Sequence, residues 1–216
     1  MLPDTAALIV VDVQNDFCPG GALAVPQGDE IVPLVNGLAS RFSLVVATQD
    51  WHPADHVSFA VNHPDRQPGD VVSLEDGPQV LWPVHCVQNS LGAAFHPRLD
   101  ASRFAQVFRK GTDPRIDSYS GFFDNRRRHA TGLHEFLRQS GVNRVFVCGL
   151  ATDYCVRWTA LDAVALGYRV AMIRDACRGV GIPPGEVEKA WREMVAAGVE
   201  PVQSQSVLAG TDVFRE

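Results

Sequence analysis

No Cys-x-x-Cys pair occurs among the five cysteines of this chain, at positions 18, 86, 148, 155 and 177, and their odd number leaves one unmatched in any pairing scheme. A disulfide framework is therefore disfavoured and reduced thiols are expected. Positive charge is also in short supply: 19 Lys and Arg stand against 25 Asp and Glu, a net charge of -6. Arg126-Arg127-Arg128 is the one basic cluster. It is too short for a nucleic-acid stripe and reads as a solvated face, so no nucleic-acid partner is expected. Linkers rich in Ser, Gly or Pro, internal repeats and low-complexity tracts are missing as well. With 46% apolar residues in 216, the chain is long enough for one full core, and a single domain over residues 1–216 is expected. The opening Met1-Leu2-Pro3-Asp4 has no basic region, and the apolar run after it is cut by Asp12. Neither a signal peptide nor a membrane span is expected, and a cytoplasmic protein follows.

What is present is a recurrence of short runs rich in Val, Ile, Leu and Phe: Ala6 to Val13, Ser43 to Thr48, Ala105 to Arg109, Arg144 to Leu150, Arg169 to Arg174 and Glu200 to Gln203. Near-continuous apolar runs suit strands covered on both faces. Between them lie helical patterns at Asp29 to Ser40, Thr131 to Ser140, Asp153 to Leu166 and Pro184 to Ala197. Pro184 suits a first helical turn, and Gly141, Gly167 and Gly198 sit where helices stop. Strand alternating with helix predicts an α/β, Rossmann-like doubly wound sheet of about six parallel strands with helices on both faces. No Gly-x-Gly-x-x-Gly follows the first strand, so neither NAD nor ATP is expected as a cofactor. Trp51 to Ser102 is long, rich in Pro and His and poor in periodicity, which marks a functional loop.

In such sheets ligands bind beyond the carboxyl ends of the strands. Asp12, Asp50, Lys110 and Cys155 each fall at or just after such an end. Cys155, at the turn from strand into helix, is either a small buried hydrophobe or a nucleophile whose thiolate the helix dipole favours. Asp12 has the chemistry to take its proton and return one to a leaving group, and Lys110 to stabilise negative charge. Taken singly, Asp12 reads equally as a turn cap and Lys110 as a surface lysine; their shared edge favours the triad. A second group is Asp50-Trp-His52-Pro-Ala-Asp-His56, with His85 downstream. Residues two apart in an extended segment face one side, so Asp50 and His52 suit one metal. His85 closes a set of two imidazoles and one carboxylate that accepts zinc, iron or manganese. His56 is a further ligand, a hydrogen-bond partner to one, or a loop histidine. Cys86 is read as packing, and His63, His96, His129 and His134 as structural or surface groups. Phe17 and Trp82 suit the walls of a flat-ring pocket, or the core.

These residues resemble the nicotinamidase branch of the isochorismatase-like cysteine hydrolases. The matching segments are Val11-Asp-Val-Gln-Asn-Asp-Phe-Cys-Pro-Gly-Gly21, Asp50-Trp-His-Pro-Ala-Asp-His-Val-Ser-Phe59, Trp82-Pro-Val-His-Cys-Val-Gln88, Lys110-Gly111, Tyr119-Ser-Gly-Phe-Phe-Asp124 and Gly149-Leu-Ala-Thr-Asp-Tyr-Cys-Val156, in family order over nearly the whole chain. The resemblance implies an Asp12, Lys110, Cys155 triad. It also implies one divalent metal, zinc first, on Asp50, His52 and His85, where it meets a pyridine nitrogen directly or through water. The Leu150–Ala151 peptide is implied to be cis, with the backbone N–H groups of Ala151 and Cys155 as an oxyanion hole. Phe17, Trp82 and Tyr119 are implied to line the ring pocket, while Tyr154 is given no role and His63 stands as an alternative ligand. The implied activity is hydrolysis of nicotinamide to nicotinate and ammonia in NAD salvage, with pyrazinamide also accepted; a homo-oligomer is left open. The rivals are an amidase for a carbamoyl or ureido substrate, commonly without the metal loop, and a non-catalytic fold-mate, which an intact triad disfavours.

Overall fold

The computed structural model describes residues 4–74, 77–211, 213 and 214. The Met1 to Pro3 start and the outermost ends of the expected 1–216 domain lie outside the described residues. Six strands form one parallel sheet: β1 (Ala6–Val11), β2 (Leu44–Asp50), β5 (Gln106–Lys110), β6 (Arg144–Leu150), β7 (Arg169–Arg178) and β8 (Glu200–Val202), in the order β5-β2-β1-β6-β7-β8. All six residues of β1 are buried, as are the last six of β6, which is what unbroken apolar runs at the sheet centre require.

The order reverses at β1, so right-handed crossovers send the helices to opposite faces. α1 (Val32–Ala39) packs with α5 (Ser204–Leu208), and α3 (Arg157–Ala165) packs with α4 (Glu186–Ala196); α2 (Leu133–Gln139) precedes β6. The reversal opens a crevice between the carboxyl ends of β1 and β6, where such folds bind ligands. Gly141, Gly167 and Gly198 do follow helices, at φ 72°, 90° and 99°.

Four expectations are corrected. Pro184 lies outside α4: left-handed Gly185 caps a helix that starts at Glu186. β7 runs on to Arg178, beyond its apolar stretch, because its far end re-pairs with β6 (Gly149 with Cys177, Leu150 with Arg178) after a register shift. The long segment from Trp51 contains an antiparallel pair, β3 (Val71–Leu74) with β4 (Gly77–Val80), whose mostly half-buried or exposed residues carry no contrast to read. Cys155 lies in a π-helical turn, Thr152–Val156, ahead of α3, because the Val156 N–H reaches back to the Ala151 carbonyl (3.1 Å). Among the described residues, no helix is long and apolar enough to cross a membrane.

Candidate active site

Three strand ends deliver three side chains to the crevice. Asp12 follows β1 with φ 48°, a turn of the backbone that leaves its carboxyl fully buried. Lys110 is the last residue of β5, and Cys155 follows β6. Lys110 Nζ lies 2.8 Å from Asp12 Oδ2 and 3.3 Å from Cys155 Sγ, and it donates to the Ser118 carbonyl at 3.0 Å. Thr48 Oγ1 donates to Asp12 Oδ1 at 2.6 Å. The structure thus brings Asp12, Lys110 and Cys155 together at one mouth. The Leu150–Ala151 peptide is cis.

Burial sets the resting protonation. It pushes the Cys155 thiol well above its ordinary value, with Lys110 pulling the other way. Burial thus acts against the thiolate that the dipole at a helix start was expected to favour. Burial also raises the Asp12 carboxyl against the pull of Lys110. For Lys110 burial opposes charge, but Asp12 and Asp50 prevail and lift it well above the usual amine range.

Asp50 and two histidines adjoin this group. Asp50 Oδ1 accepts from Lys110 Nζ at 2.5 Å, and its Oδ2 lies 3.6 Å from His52 Nε2 and 3.9 Å from His85 Nε2. His52 Nδ1 faces the Gly111 carbonyl (2.9 Å) and His85 Nδ1 the Pro83 carbonyl (2.8 Å), contacts that orient both rings and turn both Nε2 atoms toward Asp50. Two such imidazoles and a carboxylate, all buried and with donor atoms within 4.8 Å of one another, fit a divalent cation. Burial opposes charge on each ring. Asp50 overcomes it at His52, whose pKa is raised, whereas His85, also beside His52, is lowered to about 4.

His56 is not in that set. Its ring lies 4.1 Å from that of His52, its Nδ1 contacts Ser58 Oγ at 2.7 Å, and its buried Nε2 has no hydrogen-bond partner. It groups instead with His52 and Asp117. His63 lies outside the Asp50, His52 and His85 group, and its Nε2 contacts the Val57 carbonyl at 2.7 Å. His129 pairs with Asp124 and His134 with the Tyr168 hydroxyl. Cys86 is buried packing, and Arg127 of the basic cluster pairs with Asp162.

A narrow pocket opens over Cys155, with a cavity volume of about 30 Å3. Phe17, Trp82 and Tyr119 line it as expected. So do Leu23, Asp117, Tyr154 and Val180, which the sequence reading missed. Tyr154, given no role, sets its ring edge-on to Trp82 at 4.9 Å, and Trp82 Nε1 donates to the Tyr119 hydroxyl at 3.2 Å. Its place beside the nucleophile was the available signal. Also missed was Gln14, whose carboxamide accepts from the Asp50 N–H and donates to the Asp50 carbonyl, both at 2.8 Å.

Comparison with known proteins gives a consistent picture. Residues 6–206 match the isochorismatase domain. A nicotinamidase of Escherichia coli is 53% identical over 196 residues, covering 89% of this chain and 92% of the relative. A solved Acinetobacter nicotinamidase/pyrazinamidase superposes with a TM-score of 0.93 at 48% identity, over 96% of this chain and all of that one. The pyrazinamidase of Pyrococcus horikoshii in complex with zinc has a TM-score of 0.75 at 44% identity, covering 92% of this chain and 99% of that one.

Proposed function

Since the chain belongs to the isochorismatase-domain family, we propose that it hydrolyses nicotinamide to nicotinate and ammonia through a thioester on Cys155, a step of NAD salvage, and that it accepts pyrazinamide as well. One observation carries this reading: Lys110 Nζ within 3.3 Å of the Cys155 sulfur and 2.8 Å of the Asp12 carboxylate, beneath a pocket of aromatic rings. A buried neutral thiol needs a base, and the Asp12 carboxylate is that base. It takes the Sγ proton as sulfur bonds to the carboxamide carbon. Negative charge developing on the amide oxygen is received by the N–H groups of Ala151 and Cys155, and Lys110 compensates the charge left between sulfur and carboxylate. Collapse breaks the C–N bond, and the protonated Asp12 supplies the leaving ammonia. Water then enters, gives its proton to Asp12 and its oxygen to the thioester carbon. The acid leaves, giving up water's second proton to solvent as nicotinate, and the sulfur recovers the proton from Asp12.

The ring is proposed to lie among Phe17, Trp82 and Tyr119, with Tyr154 completing the wall. Asp50, His52 and His85 are proposed to hold one zinc ion, iron or manganese being the alternatives; when bound, the ion supplies a Lewis acid for the ring nitrogen. His56 is assigned a supporting position against the His52 ring rather than a ligand position. The chain is read as one domain, a reading supported by the span of the family match. Five unpaired thiols suit the cytoplasm.

Ammonia release from nicotinamide by the purified protein tests the activity. Cys155→Ala is expected to abolish turnover while nicotinate still binds; a fully active variant would refute covalent catalysis.

A further inference from the structure

Beside the nucleophile sits a buried carboxylate that the mechanism above does not use. Asp153 is 2% exposed, and both its oxygens are spent on a segment far along the chain: Oδ1 accepts from the Val180 N–H at 2.9 Å and Oδ2 from the Gly181 N–H at 2.8 Å. The two partners follow β7 where it ends beside β6, so Asp153 ties together the two adjacent strand exits that frame the mouth. The segment is shaped for this approach. A Cβ on Gly179 would come within 2.4 Å of Val187 Cγ2 and 3.1 Å of Asp153 Oδ1, and Gly181 has φ +69°. The backbone so held carries Val180, whose side chain lines the pocket and packs against the hydrophobic core.

We infer that Asp153 is a positioning residue for substrate specificity, holding Val180 as a fixed wall that limits the bulk of the ring the pocket admits. Two charge-assisted hydrogen bonds to consecutive amides define a segment more sharply than apolar contact alone. A rigid apolar wall discriminates by size, at roughly 10–200-fold per methyl or methylene group. The inference rests on the amide-hydrolase reading, and it acts on which amides enter rather than on the chemistry at sulfur.

The test compares nicotinamide with 5-methyl- and 6-methylnicotinamide in the wild type, Val180→Ala and Asp153→Asn. Val180→Ala is expected to raise kcat/KM for at least one methylated amide relative to nicotinamide by about tenfold or more. Asp153→Asn, which turns one acceptor into a donor facing an N–H, is expected to move the same ratio in the same direction without altering the ring-contacting side chains. An unchanged ratio in Val180→Ala overturns the wall. A uniform fall in kcat on every amide in Asp153→Asn, with the ratio unmoved, overturns the positioning role and leaves Asp153 only a support of the π-helical turn. Should Asp153→Asn not fold, amide hydrogen exchange in the wild type decides: slow exchange at Val180 and Gly181 supports the clamp, and unprotected exchange there overturns it. Wild-type turnover of nicotinamide tests the underlying reading separately. If it fails, equilibrium binding of nicotinate and its methylated analogues to the same variants still judges the wall.

Discussion

Asp50 places one carboxylate oxygen 2.5 Å from the Lys110 ammonium and turns the other toward the Nε2 atoms of His52 and His85. One side chain therefore serves both as counter-ion to the triad and as the only carboxylate of the candidate metal set. Burial alone would raise its pKa, but Lys110 and His52 prevail and hold it well below the usual carboxylate range. Asp50→Asn and His85→Asn are both expected to weaken zinc binding. Only Asp50→Asn also removes charge facing Lys110, and breaking one partner of a buried ion pair costs roughly 3–5 kcal/mol. That variant should lose stability in urea unfolding. Its Lys110 pKa should fall, moving the alkaline limb of kcat/KM to lower pH. Matching alkaline limbs in the two variants would show that Asp50 does not support the lysine.

Asp12 gives a pH prediction of definite sign. The reaction needs its carboxylate, and burial raises its pKa from 3.8 despite Lys110. Activity should therefore fall on acidification at a pH above the ordinary carboxyl range. It should persist on the alkaline side, because Asp12 and Asp50 lift Lys110 well above the usual amine range. The Thr48 hydroxyl lowers the Asp12 pKa through its 2.6 Å hydrogen bond. Thr48→Val is expected to move the acid limb to higher pH and to cost about 1–3 kcal/mol of stability. Profiles of kcat/KM for the two proteins check this, and a coincident acid limb would remove Asp12 as the base.

The sheet was legible because strands buried on both faces carry unbroken apolar runs, as Ala6–Val11 and Arg144–Leu150 do. The antiparallel pair formed by Val71–Leu74 and Gly77–Val80 was not, since its residues are mostly half-buried or exposed and carry no contrast. In the site, Asp12, Lys110 and Cys155 could be read because polar groups at strand ends stand out against apolar flanks. Leu23 and Val180 are ordinary aliphatic residues in loops, and only the fold turns them toward the pocket. The roles of Gln14 and Asp153 lie in bonds to backbone groups 36 and 27 or 28 residues away, which leave no trace in local spacing.

Gln14 brackets the Asp50 backbone from both sides and also donates to the Ala93 carbonyl at 2.9 Å. Removing such an outer support commonly lowers metal affinity about 10–100-fold. Gln14→Leu keeps most of the volume and removes every one of these bonds. It is expected to lower zinc affinity by that order, measured by competition with a chromogenic chelator, and to raise KM for nicotinamide more than it lowers kcat. Unaltered zinc affinity in a folded Gln14→Leu protein would assign the carboxamide to fold stability alone.

Metal removal separates ring binding from chemistry at sulfur. The Asp12, Lys110 and Cys155 contacts involve neither imidazole, so protein dialysed against a chelator should remain folded and its Cys155 open to slow alkylation by iodoacetamide. Nicotinate affinity, however, should drop, and added zinc should restore it. The restoration should weaken as pH falls, because protons compete for the same Nε2 lone pairs of His52 and His85. Calorimetric titration of nicotinate into the depleted and the zinc-loaded protein at two pH values measures both effects. Equal affinity with and without zinc would mean that Asp50, His52 and His85 hold a cation that plays no part in seating the ring.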